Sequence, residues 1–299
     1  MSKRILVIYF TQSGQLGDIL ENFSSPLVKA GNIVEKIAVK PLIPYPFPWT
    51  SKSFFAQMPD SVLGVPTTLQ PFQLKENSYD LVILGYQAWF LSPSVPVNSI
   101  LHHPSVKAVL KNTPVITITG ARNMWISAME DIKKILHKTE TRLVGNIVLV
   151  DRHHNFVSFV TTLYWMFTAK KDRFLNLFPK PGIADTDIAN TRQFGNTVEK
   201  YLQTGNWDGF QHDMVQQKAV VVKYNLMFIE SKAKRIFGLW ANFIVKRKKR
   251  TAWLVVFKYY LLIALFIAAP ILLTIDAIFF KPFLRGRIKN RKLYYSAVK

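Results

Sequence analysis

The chain has no cysteine among its 299 residues, which removes disulfides, thiolate zinc sites, iron–sulfur clusters and a cysteine nucleophile together. Its six histidines (102, 103, 137, 153, 154 and 212) show no metal-ligand spacing of the His-Glu-x-x-His kind. Acid is scarce as well: 18 Asp and Glu stand against 39 Lys and Arg, a formal charge of +21. A basic balance of this size invites a nucleic-acid reading. Its distribution argues otherwise. From Lys223 to Lys299 there are 17 basic residues against Glu230 and Asp276, a net of +15, so residues 1–222 carry only +6. These basic residues bracket a long apolar run, which points to an anionic membrane surface and to no nucleic acid. With 49% hydrophobic residues the chain has ample material for a core, and disorder is not the leading reading. No signal-peptide pattern precedes the first strand, so the N-terminal part is expected on the cytoplasmic side.

What is present alternates. Arg4–Phe10 (RILVIYF) has the β-branched and aromatic make-up of a strand buried on both faces. Leu16, Ile19, Leu20, Phe23 and Leu27 then recur at helical spacing until Ser24-Ser25-Pro26 disturbs them. Further strands fit Ile33–Val39, Tyr79–Gly85, Pro114–Thr119 and Leu143–Val150, and helices fit Pro96–Leu110, Met124–Leu136 and Asp187–Leu202. Asp185 and Thr186 are the capping candidates for that last helix. Strands alternating with helices predict an α/β fold with a doubly wound, five-stranded parallel sheet over residues 1–205. Two insertions break the rhythm. Residues 40–78 hold seven of the sixteen prolines plus Tyr45, Phe47, Trp49, Phe54, Phe55 and Phe72; residues 151–184 hold the aromatic run Phe156–Phe167. Both would leave the ligand face of such a sheet, as lids or binding loops. The bland alternative is a homodimer contact or an extra core helix.

Three segments carry chemistry. Thr11-Gln12-Ser13-Gly14-Gln15-Leu16 lies between the first strand and the first helix, where a phosphate would meet backbone N–H groups, a positive helix end and the Thr11 and Ser13 hydroxyls. Gln87-Ala88-Trp89-Phe90 follows the third strand, and aromatic residues there offer a flat surface for a ring. Gly120-Ala121-Arg122-Asn123 follows the fourth strand. Arg122 or Asn123 would hydrogen-bond a ring's carbonyl edge, unless Asn123 is merely a helix cap. His153 and His154, after the fifth strand, are weak candidates for a catalytic acid–base role, with exposed loop histidines the favoured alternative.

These loops resemble the phosphate loop and ring-holding loops of flavodoxins and of quinone reductases of that fold, over roughly residues 4–150 and, with the last helix, to about 204. The resemblance implies flavin mononucleotide (FMN) as cofactor, bound at the switch between the first and third strands. One departure is Leu16, where the family often has Thr. The full layout, with Tyr164-Trp165, Phe178-Pro179-Lys180-Pro181-Gly182 and the basic tail, also resembles the dialkylresorcinol-condensing enzymes. That narrower likeness implies oxidation of a dialkyl cyclohexanedione to the resorcinol beside a ketosynthase and acyl carrier system. The alternatives are a membrane-associated NAD(P)H:quinone reductase, a one-electron carrier, or a scaffold of this fold without flavin. A carrier of the fold is usually short and acidic, unlike this chain.

Residues 206–299 read as a membrane-attachment region. Lys246–Arg250 precedes Trp253–Phe280, in which Tyr259–Ile275 are 17 uncharged residues, the lower limit for a span. A single span would export the seven basic residues of Lys281–Lys299, against the positive-inside rule. The expected arrangement is therefore peripheral or monotopic with both flanks cytoplasmic, with one C-terminal span second and a helical layer packed on the sheet domain last. Upstream, Ile229, Ile236, Trp240, Phe243 and Ile244 make an apolar face opposed by Lys234 and Arg235.

Overall fold

A computed structural model of the chain describes residues 2–298. The first apolar run forms β1 (Arg4–Tyr9), with Ile5 to Ile8 fully buried, as a strand covered by helices on both faces requires. α1 (Gln15–Lys29) follows and runs straight through the Ser24-Ser25-Pro26 segment that predicts a break. Pro26 has no N–H for the Asn22 carbonyl, and the Ser25 hydroxyl donates to that oxygen instead at 2.9 Å. β2 (Ile33–Ala38) comes next. The first insertion then folds into α2 (Ser51–Ala56) and α3 (Met58–Leu63) before the fully buried β3 (Leu81–Tyr86).

A small hairpin, β4 (Ala88–Trp89) with β5 (Ser92–Pro93), leads into α4 (Val95–His102) and α5 (Pro104–Leu110). The single helix expected over 96–110 is thus two, broken before Pro104, because a proline restricts the residue ahead of it. β6 (Pro114–Ala121), α6 (Ile126–Lys138), β7 (Arg142–Val150), α7 (Asn155–Thr168), α8 (Asp185–Thr204), α9 (Phe210–Gln216) and α10 (Tyr224–Val245) complete the domain. α8 starts at Asp185, so Asp185 and Thr186 lie in its first turn and no side chain caps it. Asp185 and Asp187 still favour that end of the helix by charge.

The sheet order is β2-β1-β3-β6-β7 with every pair parallel, the 2-1-3-4-5 order of flavodoxin-like sheets. One core packs α4, α5 and α6 on one face, and the other packs α1, α8 and α9 on the opposite face. Residues beyond 205, assigned from sequence to the tail, take part in both. Trp207, Phe210 and Met214 belong to one core, while Val220, Val222, Tyr224 and Met227 belong to the other. Gly145 shows why: a Cβ there would stand 2.3 Å from the Phe210 ring, so α9 fits only against a glycine.

The tail itself divides. α10 packs on α3 and α6, a helical layer of the kind ranked last from sequence. Its buried residues are Tyr224, Met227, Glu230, Phe237, Ala241 and Ile244, with Trp240 and Phe243 packed beside them. Ile244, Trp240 and Phe243 of the expected apolar face thus do turn in, whereas Ile236 is exposed and Glu230 and Lys234 reach inward against that reading. Polar groups can face inward when partners await them, and periodicity does not see partners. The helix Arg250–Phe280 is 31 residues long, apolar, and buried only at Phe257 and Asp276. The C-terminal helix Arg285–Ser296 then returns to the domain.

Candidate functional site

The carboxyl ends of β1, β3 and β6 open onto a cavity of about 280 Å³, close to the lower end for small-molecule sites. Its floor is the loop after β1. Gly14 takes φ 87°, a left-handed conformation that suits glycine, and so turns the chain into α1. The Thr11 hydroxyl accepts the Gly14 N–H at 3.1 Å, closing that turn, and Thr11 itself does not line the cavity. The two glutamines act as ties. Gln12 Nε2 donates to the Pro46 carbonyl at 3.1 Å in the first insertion, and Gln15 exchanges two bonds of 3.2 Å with the Ile183 backbone in the second. Ser13 lies between them on the cavity surface, and Leu16 is buried beneath it.

The second wall is the loop after β3. Gln87, Ala88, Trp89 and Phe90 all line the cavity. Trp89 meets Phe10, Tyr45 and Trp49 edge-to-face at 6.0, 5.2 and 5.5 Å, so it is a core residue and a wall residue at once. Phe90 and Leu91 form the hairpin turn with φ 49° and 61°, values costly for side chains of this size. A cation holds that turn in place. Lys234 of α10 donates to the Leu91 carbonyl at 3.1 Å and to Ser92 Oγ at 2.6 Å, and it pairs with Asp131. The tail helix therefore fixes the shape of this wall, a link that no local pattern foretells.

The third wall comes from the loop after β6. Gly120, Ala121 and Arg122 line the cavity. Arg122 donates to the Asn155 carbonyl at 3.1 Å and to its Oδ1 at 2.9 Å. Burial brings its pKa down to about 10, with Asp151 opposing the shift, so it stays protonated at neutral pH. Asn123 lies outside the cavity with its amide on Asn155. It does not cap α6 either, because that helix begins at Ile126 after Trp125. The cap arrives from α10: Glu230 Oε1 accepts the Ser127 N–H at 2.6 Å. Burial raises the Glu230 pKa to about 7, with the Ser127 hydrogen bond pulling the other way.

The two insertions, expected from sequence as lids or binding loops, supply the roof, though the sequence does not name their individual lining residues as flavin-site residues. Phe47, Trp49 and Phe54 reach in from the first insertion, and Thr162, Trp165, Met166, Gly182 and Ile183 from the second. Aromatic enrichment marked both segments, but the long-range pairing that joins them is invisible to local pattern. The join is a backbone bond, Trp49 N–H to the Met166 carbonyl at 2.8 Å. The aromatic run is helical, and its buried residues are Ser158 and Thr161, because Ser158 donates to buried Asp151 at 2.8 Å. His153 is tied to Asp151 at 2.7 Å and the His154 ring accepts the Phe156 N–H. Neither lines the cavity, and among the lining residues Arg122 is the one charged side chain.

No family model matches this chain, and no curated protein does. Among solved structures it is similar to a flavoprotein from Lactobacillus acidophilus in complex with FMN, at 17% identity and a TM-score of 0.41 over 49% of this chain and 93% of that one. A putative flavoprotein from Bacteroides eggerthii matches at 19% identity and a TM-score of 0.40, covering 57% and 100%. A flavodoxin from the domain Archaea matches at 8% identity and a TM-score of 0.35, covering 67% and 99%. The fold rests on the chain's own strand order: a flavodoxin-like α/β sheet with a long apolar helix near its C-terminus.

Proposed function

We propose that this chain is an FMN-dependent oxidoreductase, held on an anionic membrane surface and acting on a lipophilic ring substrate. The observation that carries the reading is the cavity, which opens at the β1/β3 switch with a glycine turn and a helix N-terminus at one end and aromatic walls along the rest. The residues fit the cofactor. The α1 N-terminus and the Ser13 hydroxyl suit a phosphate. Gln87 Oε1 is buried without a hydrogen-bond partner on the cavity wall, an acceptor for a ring N–H. When bound, the flavin supplies two-electron exchange with the substrate. The chain's residues do the rest: Trp89 and Phe90 would give the ring its walls, Arg122 presents a fixed positive charge to an anionic oxygen, and the tied insertions roof the cavity. With no acid or base among the lining residues, protons pass between substrate and solvent.

The covered mouth favours an enzyme over a one-electron carrier, because a carrier must leave the ring edge open to its partner. For the substrate, the narrower proposal is a dialkyl cyclohexanedione oxidised to the resorcinol, and a membrane-associated NAD(P)H:quinone reductase is the second reading. Phe156, Leu175 and Leu177 stand exposed beside the roof, and Phe266 of the apolar helix packs on Phe156 and Phe159. These exposed apolar side chains on the second insertion support entry from lipid.

The way the apolar helix is tethered supports attachment in the plane of the membrane. Near its start Phe257 is buried among Phe55, Phe90 and Phe237. Near its end Asp276 accepts the Tyr224 hydroxyl at 2.8 Å, and beyond it Tyr294 donates to Glu130 while Gln211 donates to the Ser296 carbonyl. A helix with both ends fixed to one domain supports a monotopic arrangement with both basic flanks on the same side.

Ser13→Asp tests the cofactor claim. It is expected to weaken FMN binding by about a hundredfold or more, since it sets a carboxylate against the phosphate. Flavin absorbance and released cofactor measure it. A colourless wild type that also ignores added FMN overturns the proposal.

A further inference from the structure

The segment after the apolar helix holds a second cavity, larger than the first, at about 630 Å³. Lys281, Arg285, Lys289 and Lys292 converge on it, while Val215 and Ile288 contribute apolar floor. Arg285, Lys289 and Lys292 lie on one face of the helix Arg285–Ser296, i to i+4 and then i+3, and Lys281 joins them from the turn that precedes it. A charge run is ordinarily a solvated face, with like charges apart. Here no acid lines the cavity among the described residues, and none of the four cations has an ion-pair partner there. The nearest acid on the same stretch, Asp276, accepts both its bonds from Tyr224. Directly beside the cations stand three exposed aromatic rings: Phe279, Phe280 and Phe283, the last 85% exposed. Lys281 also lies over the Tyr224 ring at 5.5 Å, a contact that leaves its charge without a counter-ion. Cations without counter-ions on an apolar floor, next to exposed apolar rings, are complementary to one molecule that carries both an anion and hydrocarbon.

We infer that this cavity binds the head group of a single anionic glycerophospholipid, with the phosphate among Lys281, Arg285, Lys289 and Lys292 and the acyl chains along Phe279–Phe283. The inference rests on the membrane half of the function proposed above and is independent of the flavin half. It adds a discrete site to what is otherwise diffuse attraction, and it pins the C-terminal end of the apolar helix at head-group depth. A basic pocket of this kind beside a membrane helix is a physical route to lipid selection.

The test separates a site from general electrostatics by comparing two variants of equal charge. Full-length Arg285→Gln/Lys289→Gln removes two cations from the cavity, and Lys248→Gln/Arg287→Gln removes two that do not line it. Binding to vesicles of phosphatidylcholine with phosphatidylglycerol is measured for each, beside vesicles of phosphatidylcholine alone. At about 1 kcal/mol per basic residue, diffuse attraction alone accounts for a loss of up to roughly thirtyfold on anionic vesicles for either pair, and the cavity pair is expected to lose about tenfold more than the control pair. Native mass spectrometry is expected to find one phospholipid retained on the wild type and on the control pair, and none on the cavity pair. Equal losses for the two pairs, or no retained lipid, overturn the site and leave diffuse attraction. Inorganic phosphate that competes as well as the vesicles shows a site for soluble phosphate and overturns the lipid assignment. If the wild type binds neither kind of vesicle, membrane attachment itself fails, which is a different result.

Discussion

The run Ile5–Ile8 in β1 and the run Tyr259–Ile275 in the apolar helix are both uninterrupted by charge, and the structure treats them oppositely. All four strand residues are fully buried, whereas none of the helix residues in that run is. Equal hydrophobicity has met two different surroundings. In the strand, neighbouring strands and two helical layers remove every side chain from water. Along the helix the domain covers one narrow stripe, and a surface of exposed isoleucine, leucine and phenylalanine remains, far more than a soluble monomer normally shows. The strand's burial is completed by the chain, and the helix's is not; under the proposal made above, lipid completes it.

The comparison breaks most sharply at one glycine. At Gly195 in α8 a Cβ would lie 2.1 Å from the Phe23 carbonyl oxygen of α1, a backbone that cannot step aside. Gly195→Ala is expected to cost about 4 kcal/mol or more in urea denaturation, the range of severe core clashes. If it is mild, the sheet domain is not close-packed and the contrast fails.

Glu230 tells on which side of the divide α10 falls. Its folded pKa of about 7 lies above the ordinary carboxyl value, so it binds its proton more tightly folded than unfolded. Its contribution to stability is therefore full below pH ~4.5 and lost as pH rises through ~7. Glu230→Gln is expected to flatten that part of the stability curve and to leave the variant ahead by about 3 kcal/mol above pH 7. A pH dependence identical to the wild type places Glu230 in water and α10 outside the packed domain.

Ile267 and Ile271 lie one turn apart on the exposed helix face, at 56% and 54% exposure. Ile267→Ser/Ile271→Ser is expected to weaken binding to neutral vesicles by about 2 kcal/mol, with folding stability unchanged within about 0.5 kcal/mol. Destabilisation without loss of vesicle binding would show that this face is covered by protein. The smallest effect belongs to Gly238 in α10, where a Cβ meets nothing within 4 Å. Gly238→Ala is expected to stabilise by up to about 1 kcal/mol on helix propensity alone, read from the thermal midpoint.

Much of the site was legible because a parallel sheet puts its ligand face at predictable turns. Ser13, Gln87, Trp89, Phe90 and Arg122 stand in segments picked out by strand, loop and helix alternation, and they line one cavity. Thr11 and Asn123 stand in the same segments and do not, because side-chain direction within a loop is set by hydrogen bonds that spacing does not reveal, and Gly14 serves the turn instead, its N–H bonded to the Thr11 hydroxyl.

By itself the sequence determined the strand runs, their alternation with helices and the apolar length near the C-terminus, since each is a local pattern of hydrophobicity with its own period. Only the tertiary structure decided how distant parts complete one another. Trp49 bonds to Met166 to roof the cavity, Glu230 caps α6 from beyond the expected domain boundary, and Lys234 turns inward to hold Phe90 and Leu91. In each case a polar group gains its partner from an element far along the chain, and the energy of that pairing depends on the fold that brings the two together.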